Sequence, residues 1–371
     1  MQEVFEFTDE LGPAKVVHVY NPAAGLKGVL VVDNVAAGPA IGGLRMAPDV
    51  STSECARLAR AMTLKNAAAG LPHGGGKSAI YADPRLPRAD KERLVRAFAC
   101  ALRDLEDYIF GPDMGTDETC MAWVKDEIGR SVGLPREIGG IPLDEIGATG
   151  WGIRHVAEVA LRFCDFKMKG ARVAIQGFGA VGRHAARFLV AEGAVLVAAA
   201  DSSGTIHDPG GLEVEELMRI KAAGKTVRDY PRGRKLDREA VIDVECDIWI
   251  PAARPDVIHE ANAGRLRTKL VIEGANIPVT PGAERFLHEK GVLCVPDFIA
   301  NAGGVICAAT EYRGAGQSDA LAIIQEKLRA NTEAVLERAR QAGKPPREAA
   351  MALAVERVQA AMKLRRWSLY R

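Results

Sequence analysis

The stretch ARVAIQGFGAVGRHAARFLVAEGAVLVAAAD, residues 171–201, decides the fold of this chain. Its first apolar run predicts a strand, a G-x-G-x-x-G turn follows the strand, and an amphipathic segment predicts a helix directly after the turn. A second apolar run then ends in Asp201, 19 residues beyond Gly182 of the turn. Because the strand precedes the glycines and the helix follows them, the pattern is typical of a dinucleotide-binding βαβ unit.

Each glycine of this turn has its own predicted task. Gly177 allows a tight turn, Gly179 lets a pyrophosphate approach the backbone, and Gly182 lets helix and strand pack closely. The pyrophosphate would lie on the helix N-terminus, and Asp201 would accept hydrogen bonds from the ribose hydroxyls. An acid there repels a 2′-phosphate, so we expect NAD, with NADP less favoured; the alternative is a glycine turn that binds nothing. The predicted cofactor site also includes the remaining residues of the turn, Phe178, Ala180 and Val181.

Composition and charge exclude several classes of function. The chain has 371 residues, a net charge of +1 and 5% aromatic residues, which gives no reason to expect nucleic acid or an anionic membrane as partner. No uncharged apolar run is long enough to cross a bilayer, and the acidic N-terminus does not resemble a secretion signal. Seven cysteines without C-x-x-C spacing and seven scattered histidines predict reduced thiols and no metal site. We therefore expect a cytoplasmic protein.

Apolar runs alternate with helical segments along most of the chain, which predicts an α/β protein of two domains. The stretch 138–150, rich in glycine and proline, marks the junction between them. We predict a substrate-binding domain with a parallel or mixed sheet over 1–145, and a Rossmann-type doubly wound domain over 146–317. The helical segment 318–371 has no following strand, and we expect it to pack back on the first domain.

The predicted first domain contains three candidates for chemistry. LPHGGGKSAIYADP, residues 71–84, resembles a phosphate-binding loop, but Leu71 replaces the first required glycine and the order of helix and strand is inverted. Lys77 therefore has another task, and Lys65 precedes it by only twelve residues. Neighbouring ammonium groups repel and burial disfavours charge, so the pKa of one lysine should fall and make it a general base, while the other binds a substrate carboxylate. Asp113 is the third candidate; for all three the alternative is a solvated surface charge.

Six motifs together resemble the glutamate/leucine/phenylalanine/valine dehydrogenases. They occur in the family's order from about residue 20 to beyond residue 310: GPAIGGLRMAP, MTLKNAAAGLPHGGGKS, GPDMGTDE, GATGWG, GFGAVG and PDFIANAGGV. The resemblance implies a substrate domain built from both chain ends, a Rossmann-type domain between them, and an active site in the cleft. It also implies a homo-oligomer that reversibly deaminates an L-amino acid to a 2-oxo acid and ammonia with a nicotinamide cofactor.

The resemblance further implies roles for individual residues. Lys65 would bind the substrate α-carboxylate, Lys77 would be the base that activates water, and Asp113 would exchange protons with the amino group. Asn301 would contact the substrate amine, and Gly42 would belong to the same substrate site. Three further residues would lie by the cofactor: Thr149, Ala252 and Asn276.

The choice of amino acid depends on the pocket for its side chain. In the glutamate enzymes of this family a lysine and a serine would hold the side-chain carboxylate, and this chain has Ile41 and Ala308 at those positions. A buried carboxylate without a partner is strongly unfavourable. Together with Gly111 and Val305 these residues form an apolar wall, so we expect a substrate of the leucine, valine or phenylalanine class. The alternatives are a glutamate dehydrogenase that uses another cation, such as Arg45, and a non-catalytic nucleotide-sensing protein.

Overall fold

The structure is a computed structural model that describes residues 5–364. The described residues fold into two compact units. The first consists of the described residues up to Pro142, of Val305–Ala320 and of those from Met351 onward; the second consists of Leu143–Gly304 and Leu321–Ala350. Each unit combines helices with a sheet, and the predicted two-domain α/β fold class is confirmed.

A mixed five-stranded sheet forms the centre of the first unit. Its strands are β1 (Lys15–Asn21), β2 (Leu26–Asn34), β3 (Ala40–Met46), β4 (Gly74–Ile80) and β5 (Tyr108–Pro112). They lie in the order β1-β2-β4-β3-β5, so that β3 lies between β4 and β5 and is parallel to both. The pairs β1/β2 and β2/β4 are antiparallel. The helices of this part of the chain are α1 (Thr52–Ala68), α2 (Arg88–Ala101) and α3 (Glu118–Ile128).

Capping residues fix where α1 and α3 begin and end. The Ser51 side chain accepts a hydrogen bond from the backbone N–H of Glu54 at the start of α1. Asp117 caps α3 in the same way, through the backbone N–H of Cys120. Helix α3 then ends at Gly129, whose φ of 73° lies in the left-handed region that glycine adopts without strain. These local signals define the start of α1 and both ends of α3, the helix that follows β5 and its turn.

A seven-stranded sheet forms the centre of the second unit. Its strands are β6 (Arg172–Gln176), β7 (Val195–Asp201), β8 (Gly204–His207), β9 (Arg234–Leu236), β10 (Ile248–Pro251), β11 (Leu270–Ile272) and β12 (Leu293–Val295). They lie in the order β12-β11-β10-β6-β7-β8-β9; the first five are mutually parallel, and the pairs β7/β8 and β8/β9 are antiparallel. The strand order reverses at β6, which is the doubly wound arrangement whose ligands bind at the carboxyl ends of the strands. The helices here are α4 (Leu143–Ile146), α5 (Ala148–Ala160), α6 (Ala180–Ala191), α7 (Val214–Ala222), α8 (Pro281–Glu289) and α9 (Asp297–Ala300).

The C-terminal helices divide between the units differently from the prediction. They are α10 (Gly303–Tyr312), α11 (Gln317–Ala342) and α12 (Pro346–Leu364). The whole tail 318–371 was expected in the first domain, but Leu321–Ala350 packs in the second unit. One reason is close packing at Gly152 of α5, where an added Cβ would lie only 2.4 Å from Leu328. Residues 305–317, expected in the second domain, pack in the first unit instead.

Three further properties concern the described part of the chain as a whole. Among residues 5–364, no helix combines the length and apolarity that crossing a membrane requires. Those residues also contain no group of three or more His, Cys, Asp or Glu side chains arranged to hold a metal ion. All seven cysteines are free thiols.

Candidate active site

Lys77 lies in the middle of β4, in a strand and not in a phosphate-binding loop. The glycines before it are required because both faces of the strand are crowded. A Cβ at Gly75 would lie 1.9 Å from the backbone nitrogen of Thr63 in α1, and one at Gly76 would lie 2.7 Å from the Tyr108 ring. Since residues alternate between the faces of a strand, Lys77 shares the α1 face with Gly75. Its side chain is only 8% exposed.

Gly43 in β3, the strand between β4 and β5, makes room for a charged pair. Lys77 Nζ lies 2.6 Å from Asp113 Oδ2. Lys77 belongs to β4 and Asp113 follows β5, so the two side chains meet over the strand between them. A Cβ at Gly43 would lie 2.8 Å from Asp113 Cβ and 3.1 Å from Lys77 Nζ. A residue other than glycine would therefore displace the pair.

A second cation and a tight turn hold Asp113 in place. Arg45 Nε lies 2.9 Å from the same Oδ2 atom that pairs with Lys77, and Arg45 also forms an ion pair with Glu54. The Asp113 backbone N–H donates to Thr116 Oγ1 at 3.0 Å, and that hydroxyl donates to the Leu44 carbonyl at 2.7 Å. The carboxylate is thus fixed between two cations, and Arg45 is occupied by two carboxylates of the protein itself.

The surroundings lower the pKa values of both Lys77 and Asp113. Burial lowers the pKa of Lys77 below the usual lysine value; Asp113 opposes this shift, whereas the like charge of Arg45 adds to it. Burial alone would raise the pKa of Asp113, but the charges and hydrogen bonds of Lys77 and Arg45 outweigh it, and the net shift is downward. Sequence reasoning assigned Arg45 only to the alternative substrate and missed this role.

Two of the four predicted wall residues lie on the face of the sheet that carries Lys77. Ile41 and Gly43 are two residues apart in β3, so their side-chain positions share one face. Ile41 pairs with Ile109 of β5, and Gly43 pairs with Gly111. Ile41 is 4% exposed, and a Cβ added at Gly111 would make only ordinary contacts, the nearest at 3.6 Å. This face therefore carries a buried apolar residue, Ile41, and a glycine, Gly111, with room for an added methyl group.

Helix α10 carries the other two predicted wall residues. Val305 and Ala308 are three positions apart and both half-buried, so they lie on the same side of the helix. The helix is anchored by Glu311, whose carboxylate accepts hydrogen bonds from the backbone N–H groups of Leu134 at 3.1 Å and Ile141 at 2.8 Å. Burial raises the pKa of Glu311, and these hydrogen bonds act against that shift.

The two remaining substrate residues of this unit have different positions. Gly42 faces the opposite, buried side of β3: a Cβ there would lie 1.8 Å from the Gly76 carbonyl, and the Gly42 carbonyl accepts from Tyr108 Oη at 2.8 Å. Its predicted contact with substrate is therefore not supported by its position. Lys65 lies half-buried near the C-terminal end of α1, the helix that packs on the Lys77 face of β4.

The glycine turn of the second unit has room for a pyrophosphate. Gly177 has a φ of +98°, and a Cβ there would lie 2.7 Å from the backbone of Ala252. A Cβ at Gly182 would lie 2.0 Å from the Gly177 carbonyl, so helix and strand approach closely. Gly179 is the N-cap of α6 without a side-chain cap, and nothing lies within 4 Å of its added Cβ. The open helix N-terminus fits an anionic dinucleotide.

The other residues of this turn, Ala180, Val181 and Phe178, differ in what they can offer to a bound cofactor. Ala180 and Val181 lie in the uncapped first turn of α6, where backbone N–H groups face outward. Phe178 is 1% exposed, and its backbone N–H already donates to the Ala200 carbonyl at 2.8 Å. Its contribution is packing beneath the turn, so the predicted ligand contact of Phe178 is not supported by its position.

Asp201 at the end of β7 already accepts four hydrogen bonds. Its Oδ1 atom accepts from the Ser203 backbone N–H at 2.9 Å and from the Ser203 hydroxyl at 2.6 Å. Its Oδ2 atom accepts from Lys221 Nζ at 2.7 Å and from the Val227 backbone N–H at 3.0 Å. A ribose hydroxyl would have to replace one of these donors. Burial raises the pKa of Asp201, but Lys221 and Ser203 outweigh it and the net shift is downward. Lys221 was missed because it lies 20 residues further along the chain.

Four predicted residues lie in the second unit, and two of them, Asn276 and Asn301, are in direct contact. Asn301 Nδ2 donates to the Ala275 carbonyl at 3.0 Å and to Asn276 Oδ1 at 3.1 Å, while Asn301 Oδ1 is buried without a partner. A Cβ at Gly304 would lie 3.5 Å from Thr149 Oγ1, and one at Gly274 would lie 3.3 Å from Ala252 Cβ. The residues brought together in this unit are Thr149, Ala252, Asn276 and Asn301.

A doubly wound sheet with an open glycine turn, together with a buried lysine–aspartate pair, defines a nicotinamide-dependent dehydrogenase. The chain belongs to the glutamate/leucine/phenylalanine/valine dehydrogenases: the family's own model matches residues 139–366, and the model of the family's dimerisation domain matches residues 13–130. Members of this family are NAD(P)-dependent enzymes that act on the CH–NH2 group of amino acids.

Individual relatives cover most of the chain. It is 39% identical over 358 residues to a glutamate dehydrogenase of Aeropyrum pernix, a match that spans 90% of this chain and 85% of that one. It is 38% identical to an NADP(+)-dependent glutamate dehydrogenase of Pyrobaculum calidifontis over 92% of this chain and 87% of that one. Its structure resembles hetero-hexameric glutamate dehydrogenase of Thermus thermophilus in a leucine-bound form, with a TM-score of 0.82, 32% identity and coverage of 95% and 90% of the two chains.

Proposed function

We propose that this enzyme reversibly deaminates an L-amino acid to its 2-oxo acid and ammonia, with Lys77 as general base. The observation that carries the proposal is the 2.6 Å contact between Lys77 Nζ and Asp113 Oδ2 over Gly43. Because burial lowers the pKa of Lys77, its neutral form is more accessible than that of a surface lysine. A neutral Lys77 takes a proton from the water that attacks the imino carbon. Asp113 takes the proton that leaves the substrate ammonium and returns it to departing ammonia.

Other residues would bind and orient the two reactants. Lys65 is proposed to pair with the substrate α-carboxylate. The unpartnered Oδ1 of Asn301 is an acceptor that a substrate ammonium could satisfy. The cofactor would lie on the open N-terminus of α6 beside Gly179, with Thr149 and Asn276 near its nicotinamide end. When bound, it supplies the acceptor for the hydride from the substrate Cα.

The cofactor preference is proposed to be open to both NAD and NADP. NADP was expected to bind less well because the carboxylate of Asp201 would repel its 2′-phosphate. In the structure, however, Asp201 forms an ion pair with Lys221. Lys221 is 24% exposed, so its ammonium is available to a 2′-phosphate at the edge of the site. A Pyrobaculum calidifontis relative is NADP(+)-dependent, which supports NADP as a cofactor here as well.

Two classes of amino acid remain candidates for the substrate. Similarity over the whole chain favours glutamate, because the relatives named above are glutamate dehydrogenases. The local geometry favours an apolar side chain: Ile41 is buried beside the catalytic face, and Arg45, the cation named for the alternative, is occupied by Glu54 and Asp113. Side-chain specificity depends on the groups that line the pocket. We therefore keep the apolar class as the proposal from geometry and glutamate as the second candidate.

A panel of L-amino acids tests the proposal directly. Reduction of NAD and of NADP is followed by absorbance with glutamate, leucine, valine, phenylalanine and methionine at equal concentrations. Turnover of apolar substrates with poor turnover of glutamate is the result expected from Ile41 and Ala308. Glutamate as the best substrate would establish the second candidate and contradict the apolar reading of the pocket. No turnover of any L-amino acid would contradict the proposed function itself.

An oligomeric assembly is proposed on the basis of the family. The dimerisation-domain model matches residues 13–130, and the similar Thermus thermophilus enzyme is hetero-hexameric. We propose a homo-oligomer of this chain, which light scattering of the purified protein would test. A cytoplasmic location stays a prediction from the sequence.

A further inference from the structure

A buried charge cluster lies in the second unit, where no role was predicted. Arg347, in the first turn of α12, contacts three carboxylates at once. Its Nη2, Nε and Nη1 atoms lie 2.8 Å from Glu273, 2.7 Å from Glu284 and 2.9 Å from Asp297. The Glu273 side chain is fully buried, and the Arg347 side chain is 19% exposed. We call these four residues the Arg347 cluster.

The cluster contains more carboxylates than one guanidinium can neutralise. Burial raises the pKa of Glu273 well above its usual value, and the neighbouring carboxylates add to the shift while Arg347 opposes it. The second oxygens of Glu273 and Glu284 are both buried without a partner. Arg347 therefore contacts three carboxylates, one of which lies where burial disfavours its charged form.

Asp297 connects this cluster to an unusual backbone conformation. Its Oδ2 atom accepts a hydrogen bond from the backbone N–H of Ile277 at 2.9 Å. Ile277 has a φ of +47°, which is an outlier for a β-branched residue. Its side chain is 55% exposed, so side-chain packing does not explain the conformation. The Ile277 carbonyl is held as well, by the backbone N–H of Asp256 at 2.9 Å. Hydrogen bonds on both sides therefore maintain the strained residue.

The strained residue directly follows Asn276, a proposed cofactor contact. Asn276 is held from its other side by Asn301 Nδ2 at 3.1 Å. The Asn301 backbone N–H in turn donates to the Asp297 carbonyl at 2.7 Å. Asp297 thus supports both asparagines, through its side chain at Ile277 and through its backbone at Asn301.

We propose that Arg347 is a positioning residue for the cofactor: by fixing Asp297 it holds the Asn276–Ile277 backbone in the conformation that receives the nicotinamide end. The inference rests on the proposed function, because it uses the cofactor role of Asn276. Arg347 does not touch the reacting atoms in this scheme. Loss of its contacts releases Asp297, lets Ile277 relax to an ordinary backbone conformation, and moves Asn276 away from its binding position.

Cofactor binding by Arg347 variants tests the proposal. Fluorescence titration gives the Kd of NADH and NADPH for the full-length wild type, Arg347→Met and Arg347→Lys. Initial rates give the KM of cofactor and of amino acid separately. We expect Arg347→Met to raise the cofactor Kd and KM about tenfold or more, with little change in the amino acid KM. Arg347→Lys keeps a positive charge but loses the contact with three carboxylates. Its cofactor Kd and KM should therefore lie between those of the wild type and those of Arg347→Met.

Three further variants keep the test decisive. Arg340→Met removes a more exposed arginine of the same unit, which pairs with Glu337 at 2.7 Å and lies over the Phe163 ring, and it should leave the cofactor Kd unchanged. Asp297→Asn keeps an oxygen for the Ile277 N–H but weakens the contact with Arg347, so it should raise the Kd less than Asp297→Ala does.

Each outcome has one meaning. A folded Arg347→Met protein with wild-type cofactor Kd would overturn the proposal, even if its melting temperature fell. If Arg347→Met does not fold, equal Kd values for wild type, Asp297→Asn and Asp297→Ala would overturn it instead. A wild type that binds neither NADH nor NADPH would overturn the proposed function and this inference together.

Discussion

Lys77 lies in β4 and Asp113 directly follows β5, two strands that are not neighbours, and their charged groups nevertheless lie 2.6 Å apart. The strand between them, β3, has Gly43 at the point where the side chains cross it. Sheet order and one missing side chain together create the pair. The geometry of the proposed catalytic pair therefore depends on a residue that has no functional group of its own.

The first prediction compares two glycines that face each other across β3 and β5. Gly43→Ala would place a methyl group 2.8 Å from Asp113 Cβ and 3.1 Å from Lys77 Nζ, and should lower kcat by about 10²-fold through displacement of the pair. Gly111→Ala adds the same group where the nearest atom is 3.6 Å away. It should leave kcat for small substrates nearly unchanged. Equal kcat values for the two variants would contradict this role of Gly43.

The second prediction concerns the pH dependence of amino acid oxidation. Lys77 must be neutral to act as a base, so kcat/KM should rise with pH through the pKa of Lys77. Burial lowers that pKa, and the inflection should lie below the usual lysine value of 10.5. Arg45→Met removes a like charge that also lowers the pKa, so the inflection should move to higher pH.

Arg85→Met is the matched control for that profile. Arg85 is exposed to solvent and pairs with Asp83. Its loss should therefore leave the inflection at the same pH as in the wild type. An inflection that does not move in Arg45→Met, or that moves to lower pH, would argue against Lys77 as the titrating base.

The third prediction concerns the amino acid side chain. Ile41→Lys introduces a cation on the apolar face beside the charged pair, and should raise the ratio of kcat/KM for glutamate to that for leucine by about tenfold or more. Ile41→Met changes shape but not charge, and should leave glutamate as poor a substrate as in the wild type. If Ile41→Lys folds and the ratio does not change, Ile41 does not face the substrate side chain.

The fourth prediction concerns the choice between NAD and NADP. Lys221→Met removes the ammonium 2.7 Å from Asp201, and should reduce kcat/KM for NADP more than for NAD, by about tenfold. Lys225→Met removes an exposed lysine from the segment after α7 and serves as control. If the ratio of kcat/KM for NADP to kcat/KM for NAD does not change in Lys221→Met, a group other than Lys221 distinguishes the 2′-phosphate from the ribose hydroxyl.

The parts of the fold predicted from sequence are those with a local signal. The roles of Gly177, Gly179 and Gly182 follow from a turn between one strand and one helix, and their surroundings fit the predicted tasks. The division of the C-terminal helices was not predictable in this way, because helical spacing identifies an apolar stripe but not its partner. Packing of Leu328 over Gly152 decides that α11 belongs largely to the second unit.

The residues of the candidate site that the sequence did not predict depend on the order of strands in the sheet or on contacts between distant parts of the chain. Alternation along β3 could have grouped Ile41, Gly43 and Arg45 on one face, but only the strand order places that face next to Lys77. Lys221 and Arg347 reach their partners across stretches of chain with no sequence signal for the contact. Gly42 lies within a motif of the family, but its position in the strand turns it to the opposite face.

The most direct test of the account is the turnover of Lys77→Met, measured beside its cofactor affinity. Lys77 is proposed to act only in proton transfer, so kcat should fall by about 10²- to 10⁴-fold while the Kd of the reduced cofactor stays within a factor of about two. Lys344→Met, at a surface lysine paired with Glu348, should behave as the wild type. A Lys77→Met enzyme that binds cofactor and keeps most of its turnover would contradict the assignment of Lys77 as the base.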